Sequence, residues 1–137
     1  MNEFVLPVRV YYEDTDTGGV VYYANYLKFM ERARTEWLRS LGFEQDRLMA
    51  EENLIFAVRQ VQAEYLRPAR FNDLLQVTAR VLEHRGASIR FAQEVRRGEE
   101  LLCRGEVGIV SLTADEMKPR RIARGIAERL VEIEHAS

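Results

Sequence analysis

Between residues 23 and 41 the apolar side chains recur every three or four positions, at Tyr23, Tyr26, Leu27, Met30, Ala33, Trp37, Leu38 and Leu41. That spacing predicts a long helix with one buried face. Glu31, Arg32, Thr35, Glu36 and Arg39 fall largely elsewhere on the wheel. Gly42 is placed to end the helix. A short helix over 45–51 follows. The period then changes to two: Ile55, Ala57, Val61, Ala63 and Tyr65 alternate with polar residues. Leu75, Val77, Ala79 and Val81 form a second such run, Ile89, Phe91 and Val95 a third, and Leu101, Cys103, Val107 and Ile109 a fourth. Each reads as a strand, with turns at His84-Arg85-Gly86 and Arg97-Gly98-Glu99. Residues 5–12, rich in Val and Tyr, predict a first strand, and 122–133 a terminal helix.

The predicted order is strand, long helix, then four strands in series. One helix on one antiparallel sheet is an α+β layer arrangement. There is no internal repeat, low-complexity tract or linker, so residues 1–137 read as one domain. Pro7, Pro68 and Pro119 belong at strand edges or turns. A single sheet around one helix leaves an edge strand uncovered, which argues for a homodimer or tetramer.

Composition narrows the function. The chain has 20 Lys and Arg against 22 Asp and Glu, a formal net charge of -2, so no global field favours nucleic acid. One cysteine, Cys103, excludes an intrachain disulfide and a cysteine-rich metal site. It reads as a packed small hydrophobe. The start, Met1-Asn2-Glu3-Phe4, lacks a secretory pattern, and no apolar run approaches the roughly 20 residues of a membrane helix. The expectation is a cytoplasmic protein with no cofactor and no resident metal.

The chemistry concentrates in Glu13-Asp14-Thr15-Asp16-Thr17-Gly18-Gly19, between the first strand and the long helix. Acidic residues ahead of a helix often only cap it. Here Val20-Val21-Tyr22 intervene, which points to a loop folded inward. A calcium loop would need an acidic residue at position twelve, where Asn25 stands. A phosphatase-type Asp-x-Asp loop would need Thr in place of Gly18 and an alternating α/β sheet; it remains a remote rival. His84 and His135 read as surface residues, so no Ser/His/Asp set exists. Arg96, Arg97 and Arg104 read as basic surface. Glu31 reads as a partner of Arg34 or Arg32 on the helix.

The run from Val8 to Tyr26, VRVYYEDTDTGGVVYYANY, resembles the signature of the 4-hydroxybenzoyl-CoA thioesterase family. The continuation from Tyr26 to Glu36, YLKFMERARTE, is similar to the Tol-Pal-associated YbgC-type acyl-CoA thioesterases, as are Val58-Arg59, Glu64-Tyr65, Arg67-Pro68-Ala69-Arg70 and Met117-Lys118-Pro119-Arg120. The resemblance implies a hotdog fold, a long central helix wrapped by a five-stranded antiparallel sheet. It also implies hydrolysis of acyl-CoA to free acid and CoA at a dimer interface.

By the same resemblance Asp16 is the catalytic carboxylate, acting as nucleophile or as general base toward water. The backbone N–H of Tyr23, at the helix start, polarises the carbonyl. Gly19 lets the loop pass close to the thioester. Arg85 with Ser88, and Lys118 with Arg120, match family positions for the CoA nucleotide; Tyr22 is placed to line the acyl pocket. Many YbgC-type members carry His where this chain has Tyr23. A backbone N–H role survives that change, and acyl preference stays open between short aliphatic and aromatic groups. Acyl carrier protein is an alternative donor. The rival readings are a non-catalytic acyl or CoA sensor and an interaction partner of envelope machinery.

Overall fold

The computed structural model describes residues 3–136, with side chains from Glu3 to Val131. Met1, Asn2 and the His135 side chain, on which parts of the sequence reading rest, lie outside the described residues. The elements are β1 (Phe4–Arg9), α1 (Tyr23–Ser40), α2 (Gln45–Glu52), β2 (Leu54–Tyr65), β3 (Leu74–Arg85), β4 (Ser88–Arg97), β5 (Glu100–Thr113) and α3 (Arg124–Ala136). All strand pairs are antiparallel, in the order β1-β3-β4-β5-β2, so β1 and β2 are the edges.

Tyr26, Phe29, Met30, Ala33, Trp37 and Leu38 are buried along α1, the stripe that its periodicity demands. Phe29 joins that stripe although its spacing did not single it out. Tyr23 leaves it, because the first turn of α1 reaches the sheet's margin rather than its centre; Tyr23 is 60% exposed. Gly42 ends the helix at φ +97°, donating its N–H to the Arg39 carbonyl at 2.9 Å.

Two strand expectations need correction. β1 stops at Arg9, and Tyr12–Asp14 form a 3₁₀ turn. The Tyr11 N–H donates to Asp14 Oδ2 at 2.8 Å, and the Asp14 N–H to the Tyr11 carbonyl at 3.0 Å; these local bonds replace a ladder. In β2 a bulge shifts the register between Val58 and Gln60. The extra residue, Arg59, reverses the alternation. Phe56 and Val58 therefore share the strand face of Val61 and Tyr65 and line a cavity beside Trp37 and Leu38, where the uninterrupted alternation put Ile55 and Ala57 on that face.

The face of β4 toward α1 carries Ile89, Phe91, Gln93 and Val95, all buried. Gln93 is the polar exception. Pro7 sits on edge strand β1, where its missing N–H costs no ladder bond. The opposite edge, β2, leaves Val58, Val61 and Tyr65 exposed at 52%, 41% and 45%.

Candidate active site

Residues 14–22 form a loop tied to the start of α1. Asp14 helps to build it through both side chain and backbone. Its carboxylate accepts the Tyr11 N–H, and its carbonyl accepts the Tyr22 N–H at 3.0 Å and Asn25 Nδ2 at 2.8 Å. Asp16 is used differently. Its N–H donates to the Val20 carbonyl at 2.9 Å, and its carbonyl accepts the Gly19 N–H at 3.0 Å, while Oδ1 accepts the Gly18 N–H at 2.8 Å. The Asp16 side chain is exposed in the single chain. Gly19 takes φ +79°, a conformation that excludes most side chains. The inward fold expected of the loop holds at Val21, which is 4% exposed and donates its N–H to the Ala69 carbonyl at 2.8 Å.

Tyr23 is the first residue of α1, so no intrahelical carbonyl can reach its N–H. Tyr22, before it, gives no side-chain cap. An aromatic group surrounds this helix start. The Tyr22 and Tyr23 rings lie 4.8 Å apart, Tyr23 and Tyr65 6.1 Å, and Tyr26 and Tyr65 5.5 Å. The hydrogen bond between the Tyr22 and Tyr23 phenols raises the Tyr22 pKa, and burial raises those of Tyr26 and Tyr65. All three phenols stay protonated and neutral near pH 7. The Tyr26 hydroxyl accepts the Ala69 N–H at 2.9 Å.

The basic residues separate into two groups. Arg85 and Ser88 line a cavity of about 220 Å³, shared with Arg59, Gln60 and Arg90. Lys118 and Arg120 do not line it: Lys118 pairs with Glu116 at 3.1 Å, and Arg120 donates to the Glu52 carbonyl at the end of α2. A second cavity, about 100 Å³, is walled by Trp37, Leu38, Phe56 and Phe91, with Glu31, Arg34 and Thr35 among its lining. Neither cavity includes Asp16 in its lining.

The thioesterase superfamily profile matches residues 18–104. This chain belongs to the thioesterase superfamily. It is 48% identical over 118 residues to the acyl-CoA thioesterase YbgC of Haemophilus influenzae, covering 86% of this chain and 87% of that protein. It is 48% identical over 124 residues to the acyl-CoA thioester hydrolase YbgC of Escherichia coli, covering 90% and 92%. A solved probable thioesterase from Bartonella henselae superposes with a TM-score of 0.86 at 38% identity, over 89% of this chain and all (100%) of the other. The five-stranded antiparallel sheet packed on the long helix α1 is thus the hotdog fold of this superfamily.

Three further residues are placed where their sequence positions did not indicate. Arg59 lines the same cavity as Arg85 and sits at the β2 bulge, which periodicity alone could not reveal. Gln93 joins helix to sheet from a buried site. His84, expected at the surface beside a turn, is half-buried inside β3. Glu31 does lie beside Arg34 as expected, accepting a bond from Thr35 Oγ1 at 3.4 Å as well. Burial lowers the Arg34 pKa and the Glu31 charge partly restores it. Cys103 is buried and its thiol is pushed up to about 11 by desolvation, as a packing residue requires.

Proposed function

We propose that this chain hydrolyses acyl-CoA thioesters, with Asp16 as the catalytic carboxylate. The observation that carries the reading is the division of labour in the Asp-x-Asp pair. Each carboxylate accepts one local N–H, but Asp14 is half-buried and its carbonyl accepts two further bonds that shape the loop, whereas the Asp16 carboxylate is exposed ahead of the α1 start. The names carried by the YbgC relatives support the same chemistry.

In the proposed reaction the substrate carbonyl lies against the Tyr23 N–H, with the Asp16 carboxylate on its other face. Asp16 either attacks the carbonyl carbon or takes a proton from an attacking water. The charge that develops on the carbonyl oxygen is met by the helix-start N–H and the positive end of the α1 dipole, and one such donor is worth about 3–4 kcal/mol. The C–S bond then breaks. On the general-base route the proton held by Asp16 passes to the departing thiolate and the water oxygen stays in the acid. On the nucleophilic route CoA thiolate leaves an acyl–Asp16 anhydride, and a water then cleaves it, supplying the acid's oxygen and the thiol's proton and restoring the carboxylate. No resident metal or cofactor is needed. A single domain acting in the cytoplasm, where CoA esters are made and used, suits this chemistry; acyl carrier protein is the alternative thioester donor.

The site is completed by a second copy. Tyr23 lies against Tyr65, which pairs through Cys103 to Val95. Ser88 is seven residues further along β4, about 23 Å at ~3.3 Å per residue. Arg85 and Ser88 therefore stand at the far end of the sheet from the Asp16 loop. Antiparallel pairing of two β2 edges brings the partner's far end beside that loop. Asp16→Asn, with folding retained, is expected to lower kcat by about 10²–10⁴-fold, the usual worth of a lost general base. Arg85→Ala raises KM for acyl-CoA but not for a thioester lacking the nucleotide. Mixed dimers of Asp16→Asn and Arg85→Ala chains hold one intact site per heterodimer, so about a quarter of wild-type activity returns at low substrate. Unchanged turnover in Asp16→Asn removes Asp16 from the mechanism; no recovery in mixtures removes the shared site.

A further inference from the structure

We infer that Arg97 is a positioning residue for the Asp16 loop, anchoring it to the central strand of the sheet through the loop at residues 66–73. The inference rests on the reading of Asp16 above. Arg97 ends β4, the middle strand of the five. Its guanidinium serves three acceptors. Nη1 donates to Asp73 Oδ2 at 2.6 Å and to the Pro68 carbonyl at 3.4 Å, while Nε and Nη2 donate to Glu100 Oε1 at 3.2 and 2.6 Å. A planar fork can hold such a set; a single ammonium cannot.

The loop it grips has little packing of its own. Arg67, Pro68, Arg70, Phe71 and Asn72 are exposed, and Asn72 takes φ +74°. Ala69 is the one fully buried residue in the loop, at 0% exposure. Hydrogen bonds set its shape in place of a core. Asp73 Oδ2 accepts the Arg70 N–H at 2.8 Å, and the Ala69 N–H donates to the Tyr26 hydroxyl. Through this loop the chain of contacts reaches the catalytic carboxylate. The Ala69 carbonyl accepts the Val21 N–H, Arg70 bridges Val20, and the Val20 carbonyl accepts the Asp16 N–H. Loss of Arg97 frees the 66–73 loop on one side and the Asp16 loop behind it. Displacement of a reacting group by about 1 Å can cost 10²-fold in rate.

The test compares wild type, Arg97→Ala, Arg97→Lys and Asp16→Asn in steady-state acyl-CoA hydrolysis and in hydrogen exchange of the peptide covering residues 14–25. Arg97→Ala is expected to lower kcat by about 10–100-fold with KM within about twofold, and to speed exchange in that peptide. Arg97→Lys recovers part of both. Unchanged kcat in Arg97→Ala overturns the proposal, and so does unchanged exchange. A loss of thermal stability alone, with kcat kept below the melting range, also overturns it, because that marks a structural residue. Asp16→Asn reports separately. If it keeps full turnover, the Asp16 mechanism fails, and the exchange and kcat of Arg97→Ala still decide whether Arg97 positions the loop.

Discussion

At Gly105 the β2 and β5 backbones approach so closely that a Cβ would lie 2.6 Å from the Gln62 carbonyl oxygen and 3.4 Å from the Ala63 Cα. Both obstacles are backbone, so neither can swing aside. Gly105→Ala should cost about 1–3 kcal/mol in urea denaturation, the range for overpacked sites. At Gly108 on the same strand the nearest atoms to a Cβ are 3.8 Å away. Gly108→Ala should therefore shift stability by no more than about 0.5 kcal/mol; equal costs at the two positions would refute the close-approach account. Single residues also show what sequence could and could not tell. Asp14 and Asp16 look alike in the chain and each carboxylate takes one backbone N–H; the partial burial of Asp14 and the two bonds to its carbonyl separate the loop builder from the exposed carboxylate. Gly19 was legible, because a glycine pair in a loop announces a positive φ, and it has one. Arg97 was not: an arginine beside a hairpin glycine reads as surface until its acceptors are seen.

The long helix and the sheet meet through one polar side chain. Gln93 Nε2 donates to the Met30 carbonyl at 2.9 Å and to the Thr78 carbonyl at 3.0 Å, while Oε1 accepts from Arg34 Nη1 at 2.9 Å. Gln93 is 1% exposed, so no solvent replaces those bonds if they are removed. Gln93→Leu leaves a half-buried guanidinium without its acceptor and should destabilise by about 2–3 kcal/mol. Adding Arg34→Leu removes the orphaned charge, and the double variant should recover much of the loss. Additive costs in that double-mutant cycle would show that the two side chains do not act together. Periodicity located α1 and all five strands because each has an apolar face. It misjudged the end of β1, where an Asp side chain outbids the ladder, and the parity of β2, where a bulge inserts Arg59. Neither device leaves a trace in the hydrophobic pattern.

For the molecule as a whole, the decisive feature is the bare edge of β2. The strand runs for 12 residues, pairs among the described residues with β5 alone, and carries exposed Val58, Val61 and Tyr65. The sequence already required an uncovered edge, since one sheet around one helix cannot close. Which strand it is follows from the order β1-β3-β4-β5-β2, a long-range pairing that no local pattern encodes. A lysine on such an edge discourages pairing with a second sheet. Val61 is 41% exposed in the single chain, so Val61→Lys should alter the stability of that chain by no more than about 0.5 kcal/mol. On the proposed shared site the wild-type chain sediments as a dimer, and Val61→Lys should turn that species into a monomer. If each site joins the Asp16 loop of one copy to the Arg85 cavity of the other, activity must fall with the dimer fraction, and rise again at protein concentrations that restore pairing. A monomeric Val61→Lys chain with full turnover would mean that one copy holds a whole site, and the long separation between Tyr23 and Ser88 would then have to be spanned within a single sheet.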